Sequence, residues 1–245
     1  MASRSGTRHT HFVAALKELA DPGAVAEVSR FFRSDPHAPS RDNKALGVSF
    51  GDVFRAAKQF ADLPLADIER LLDSPYYEVR LGAVSVMDFQ ARAKRTTAED
   101  RKALFDLYVR RHDRINNWDL VDRAAPHVVG GYLADKPRNV LYELARSKNP
   151  WERRTAIVST YYFIRGGDVD DTFRIAEMLV DDDHDLVQKA VGSWLREAGK
   201  KDQQRLVRFL RTHGDSMPRT MLRYAVEKLP PAVRAKFLGA GSRDR

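Results

Sequence analysis

The chain has no cysteine, which excludes disulfides, thiolate nucleophiles and cysteine-ligated zinc. It has no run of apolar residues near the ~18–20 needed to span a bilayer. Glycine-rich phosphate loops and dinucleotide fingerprints are missing, so nucleotide triphosphate chemistry is not expected. Strand-like alternation bounded by turn pairs is absent as well. The seven histidines are scattered, and no Ser-His-Asp constellation can be assembled, so an enzyme built on this chain would be a carboxylate enzyme. Residues 1–10 are basic but carry no apolar core of a secretory signal and read as a flexible tail. The same reading applies to residues 241–245.

What remains is helical and basic. In 245 residues, 43% are apolar and 31% charged, enough to build a core rather than a disordered chain. The formal net charge is +8, which favours a polyanionic partner such as nucleic acid or an anionic membrane. Helix starts stand out. Asn149-Pro150-Trp151-Glu152 offers an N-cap, a proline at the first helical position and a glutamate to close a capping box. Ser74-Pro75 offers a similar start, and Gly166-Gly167 should end the helix that Asn149 opens. The polar stretch from Asp35 to Lys44, with two prolines, reads as a loop.

Three starts resemble one another, at Ser74, Asn149 and Asp183. Each is a polar cap followed by basic and then small or branched apolar residues, at intervals of one or two multiples of roughly 35 residues. This pattern predicts an all-α, HEAT-like helical-repeat solenoid, an α-α superhelix with a basic concave face, forming a single domain over residues 11–240. The alternative is an irregular helical bundle.

Candidate chemistry centres on Trp118-Asp119-Leu120-Val121-Asp122. On a helix capped by Asn117, Trp118 and Asp122 fall one turn apart on one face. Asp119 and Asp122 sit where the helix dipole favours ionised carboxylates. Pro126 cannot donate to the carbonyl four residues earlier, so a kink is expected there. Against this stands the plainer reading, in which Trp118 packs between helices and the aspartates solvate the helix start. Arg153 and Arg154 lie in the first turn of another helix, where cations oppose the dipole at about 0.3–1 kcal/mol each. An external phosphate or an acidic partner would explain them. In the helix from Asp183, the apolar stripe Val187, Ala190, Val191, Trp194, Leu195 and Ala198 places Trp194 in the core. Lys189, Ser193 and Arg196 then fall on the polar side.

Together these segments resemble the AlkD-like DNA alkylation-repair glycosylases, a family of HEAT-like repeats. The resemblance runs from Phe12 to Leu229 and rests on three ordered motifs. These are Trp118-Asp119-Leu120-Val121-Asp122, Arg153-Arg154-Thr155-Ala156-Ile157, and Gln188-Lys189-Ala190-Val191-Gly192 with Leu195-Arg196-Glu197 following. It implies that Trp118 and Asp122 contact the lesion and that Arg154 holds the backbone beside it. Arg153, Lys189, Ser193, Arg196 and Phe31 become candidate DNA contacts, Phe31 at the place of a family tyrosine. The family usually carries a tryptophan directly after the glycine matched by Gly192, and here that residue is Ser193. The implied activity is monofunctional excision of N3- and N7-alkylated purines from duplex DNA. It calls for no cofactor or metal and no membrane, and fits a cytoplasmic, nucleoid-associated monomer. Two rivals are a non-catalytic DNA binder and a HEAT-like protein–protein scaffold.

Overall fold

The computed structural model describes residues 8–30 and 44–239, and all of the regular structure among them is helical. One isolated parallel bridge joins Lys44 to Tyr76. Among the described residues, no helix is long and apolar enough to cross a membrane. Phe31, and all of the 35–44 loop except Lys44, lie outside the described residues. The chain forms two compact units, residues 1–132 and 133–245.

The first unit contains α1 (Arg8–Glu18), α2 (Val25–Ser29), α3 (Phe50–Gln59), α4 (Leu65–Leu72), α5 (Tyr77–Arg92), α6 (Ala98–Arg110) and α7 (Trp118–Ala124). Three residues assigned to the tail, Arg8 to Thr10, belong to α1, whose Arg8 is held by Asp62 at 2.7 Å. The centre of the unit is α5. Tyr77, Val79, Leu81, Val84, Val86 and Met87 are all fully buried, covering every side of the helix, as expected of one enclosed by neighbours. Helices α3, α4 and α7 pack on it. Phe12 of α1 seats on Gly82, where a Cβ would fall 2.3 Å from its ring.

The start of α5 departs from expectation. Ser74-Pro75 precedes the helix, which opens at Tyr77. The reason is the bridge: Lys44 N–H donates to the Pro75 carbonyl and Tyr77 N–H to the Lys44 carbonyl, both at 2.8 Å. These bonds hold Pro75 and Tyr76 in extended pairing. Next to them the fully buried Glu78 carboxylate accepts the backbone N–H groups of Leu46 and Gly47 at 2.9 and 2.8 Å. Gly47 there has φ +84° and leaves no room for a Cβ, so the residue type is fixed by conformation and space together.

The second unit contains α8 (Asn139–Ala145), α9 (Pro150–Ser159), α10 (Tyr161–Arg165), α11 (Asp170–Met178), α12 (Asp185–Gly199), α13 (Gln203–His213), α14 (Arg219–Ala225) and α15 (Pro231–Gly239). Asn149 caps α9 as its sequence predicts, accepting Trp151 N–H at 3.0 Å, with Pro150 at the first position. The helix it opens ends sooner than Gly166-Gly167. Thr160 breaks it, turning its hydroxyl onto the Ile157 carbonyl at 2.7 Å. The two glycines instead follow α10, with Gly167 at φ +91°. The three similar starts open α5, α9 and α12, and each of these packs on the helix before it, α4, α8 and α11.

Candidate active site

Helix α7 carries the central pair. Trp118 and Asp122 are both half-buried and lie one turn apart, so the spacing places them on one face. The helix beneath them is fastened at both ends. At its start, Asn117 is extended, but its side chain does not cap the helix. It turns inward and donates to the Tyr77 hydroxyl at 3.1 Å. That hydroxyl donates in turn to Asp119, which also accepts Leu120 N–H at 2.9 Å. One phenol thus serves as acceptor for Asn117 and donor for Asp119. Asp119 is only 7% exposed, so it is a buried structural carboxylate and not the solvating residue expected of a helix start.

At the other end of α7, Arg123 lies between the rings of Phe54 and Phe89, 4.7 and 4.8 Å from their centres. It donates to Ser85 at 3.1 Å and pairs with Asp88 at 3.2 Å. Asp88 is almost completely buried and also holds His127 at 2.8 Å and Arg92 at 3.4 Å. Burial pulls the Arg123 guanidinium below its ordinary value, Asp88 raises it, and Arg92 lowers it again. The charge stays because the carboxylate and two aromatic faces replace its lost water. The kink expected at Pro126 takes the form of a π-helical turn over Ala125–Gly130, closed by Gly131 N–H donating to the Pro126 carbonyl at 3.0 Å. The missing proline N–H is absorbed by this wider turn, a feature common at functional sites.

In the second unit, Arg154 of α9 is 5% exposed and donates to the Leu186 carbonyl near the start of α12. Arg153 is bound within the unit. Its guanidinium holds Asp182 at 2.6 and 3.0 Å and the carbonyls of Ser147 and Lys148 at 3.1 Å. The cation that opposes the helix dipole is therefore neutralised internally, and of the two expectations for Arg153, an external phosphate or an acidic partner, the structure shows the acidic partner. Lys189 pairs with Asp185 at 2.6 Å along α12, and Arg196 pairs with Glu197 at 3.3 Å and with Glu227.

Gly192 marks a close approach. A Cβ there would lie 2.4 Å from the Met221 carbonyl and 2.6 Å from the Tyr224 Cβ, so α14 crosses directly over this glycine. Ser193 beside it is half-buried. Trp194 is half-buried too and not part of the closed core. Val187, Ala190, Val191, Leu195 and Ala198 form the buried stripe as predicted. The indole reaches past that stripe to the end of α9, where its N–H donates to the Val158 carbonyl at 3.0 Å and its ring meets Tyr161 edge-on. An indole N–H needs such a partner, and this one lies at the rim of the core.

A cleft of about 410 Å³ in the first unit is lined by Leu63, Pro64, Gln90, Thr96 and Leu104 among others, and none of the candidate residues lines it. Among the described residues, no group of three His, Asp or Glu side chains is placed to hold a metal ion.

The family model of DNA alkylation repair enzymes matches residues 12–229. The chain belongs to that family. Its fold is similar to a solved structure described as a predicted DNA alkylation repair enzyme from Enterococcus faecalis, with a TM-score of 0.66 and 17% identity over 86% of this chain and 97% of that one. A search of curated proteins gives no match. The family assignment makes DNA the expected partner.

Proposed function

We propose that this member of the DNA alkylation repair enzyme family is a monofunctional DNA glycosylase that releases N3- and N7-alkylated purines from duplex DNA. The observation that carries the reading is the contrast between two carboxylates three residues apart on α7. Asp119 is buried and committed to Tyr77, whereas Asp122 keeps solvent access on the same face as Trp118. That the packed helix pairs are HEAT-like repeats is part of the same proposal.

Alkylation at N7 or N3 places positive charge on the base. When the C1′–N bond breaks, its electron pair goes to the base, which leaves neutral, and the sugar becomes oxocarbenium-like. No strong general acid is needed. An anion beside the sugar stabilises the cation and orients the water that adds to C1′, as carboxylates do in glycoside hydrolysis. Asp122 has that role. Trp118 supplies a flat apolar face for the damaged nucleotide, and Arg154 is assigned to the DNA backbone. The protein acts as a monomer, without a cofactor, in the cytoplasm with the nucleoid. A non-catalytic DNA binder shares every feature except turnover.

Base release separates the two. Asp122→Asn should lower single-turnover release of methylated purine from alkylated duplex DNA by about 10²–10³, the scale of one lost preorganised electrostatic contact. Binding to a duplex with an abasic-site analogue should stay the same. Equal release by the variant removes Asp122 from the chemistry, and no release by the wild type favours the binder.

A further inference from the structure

The positive charge of the chain is not spread evenly. Residues 203–239 hold eight Lys and Arg against two Asp and Glu, so this short C-terminal stretch accounts for six of the eight net charges. It contains α13, α14 and α15. Helices α13 and α14 both pack on α12, and α15 packs on α14, so the three form one neighbourhood of the second unit.

Six exposed cations are grouped on these three helices. Arg208 and Arg211 of α13, Arg219 and Arg223 of α14, and Arg234 and Lys236 of α15 are all exposed. Among the described residues none of these six has a carboxylate partner within 4 Å. In the first unit four exposed cations are held, Arg55 by Asp52 at 2.5 Å, Arg70 by Asp67 at 3.5 Å, Lys102 by Asp106 at 2.6 Å and Arg110 by Glu69 at 3.0 Å. Lys17, Lys58, Lys94 and Arg95 are exposed and, among the described residues, unpaired, but they are scattered over separate elements.

Local stability does not explain the arrangement. None of the three helices has an acidic residue in its first turn, where one would be favoured. Arg219 instead stands at the first position of α14, opposing the dipole. Arg219 and Arg223 are four apart on one helix, a like-charge pair that weakens a helix by a few tenths of a kcal/mol. On α13 the buried side is Leu206, Phe209 and Leu210, and Arg208 and Arg211 fall on the opposite side. On α14 the buried side is Met221, Leu222 and Ala225, leaving Arg219, Arg223 and the 37% exposed Tyr224 outward.

We infer that the outer faces of α13–α15 are a phosphate-binding surface that anchors duplex DNA through its backbone, without reading sequence or damage. Arginine donors suit phosphate, and each phosphate neutralised releases condensed counterions. The inference rests on the family-based DNA reading but not on Asp122 or on any chemistry at the base.

The test measures binding of undamaged duplex DNA by the full-length protein as a function of salt. One variant carries Arg208→Gln, Arg211→Gln, Arg219→Gln and Arg223→Gln. A control makes the same charge change in the first unit through Arg55→Gln, Arg70→Gln, Lys102→Gln and Arg110→Gln. The C-terminal variant should show a log affinity versus log salt slope shallower by about 3 units and a loss of at least about tenfold in affinity near 0.1 M salt. The control should keep the wild-type slope to within about one unit. An unchanged slope in the C-terminal variant overturns the inference, and so does an equal fall in the control, which would make net charge alone responsible. Loss of binding to phosphatidylserine vesicles with an unchanged DNA slope would reassign the face to membranes and also overturn it. Wild-type protein that leaves duplex DNA unbound at about 50 mM salt defeats the DNA reading itself. An Asp122-dependent base release with an unchanged C-terminal slope defeats this inference alone.

Discussion

The helix α7 neighbourhood and the C-terminal helices use charge in opposite ways. Around α7 the buried carboxylates are matched: Asp88 to Arg123, His127 and Arg92, and Asp119 to Tyr77. Charge there fixes a backbone in place so that one further carboxylate, Asp122, can be presented. On α13 and α14 Arg208, Arg211, Arg219 and Arg223 are left exposed and unmatched, and the backbone is held by close packing such as that of α14 over Gly192. Buried matched charges specify geometry, whereas exposed unmatched ones are available to an outside polyanion. A uniform net charge would have hidden this division.

The largest effect should come from breaking a matched group. Asp88→Ala leaves Arg123 and His127 facing each other in a poorly hydrated place. It should cost about 3–5 kcal/mol in urea unfolding, the usual result of removing one partner from a buried ion pair. A loss below about 1 kcal/mol would mean that the cluster is solvated and does not clamp α7. Trp194→Ala should be intermediate. A fully buried tryptophan costs about 3–5 kcal/mol when truncated, and this one is half-buried with a single hydrogen bond to Val158. A loss of about 2 kcal/mol is therefore expected. The smallest effect on stability belongs to the four C-terminal arginines, whose replacement by glutamine should change unfolding free energy by no more than about 0.5 kcal/mol. A larger loss would show that these side chains are partners within the fold, and the contrast between the two regions would fail.

Much of this arrangement was legible in the sequence, and what was not has a common cause. Helical spacing placed Trp118 with Asp122 and found the stripe from Val187 to Ala198, because both depend only on neighbours within two turns. The N-cap at Asn149 was read correctly for the same reason. For Arg153 the sequence leaves an external phosphate and an acidic partner open, because that partner, Asp182, is 29 residues away and no local rule connects them. The cluster of Asp88, Arg123 and His127 went unnoticed. Its faint trace is two pairs at helical spacing, Asp88 with Arg92 and Arg123 with His127, which only the packing of α7 on α5 brings together. Asn117 was read as a capping side chain. Its position at the helix start was right, but a buried phenol 40 residues away took its amide. Trp194 lay on the correct face, yet periodicity does not tell how far a large ring extends beyond the contact.

The decisive measurement is single-turnover base release from a duplex carrying one N7-methylguanine, at saturating protein, for Asp122→Asn and for the four-arginine C-terminal variant. The account predicts that Asp122→Asn is slower by about 10²–10³ while needing no more protein to saturate, and that the arginine variant reaches the wild-type rate but only at higher protein concentration. Wild-type release by Asp122→Asn, or a saturated arginine variant as slow as expected for Asp122→Asn, would contradict it.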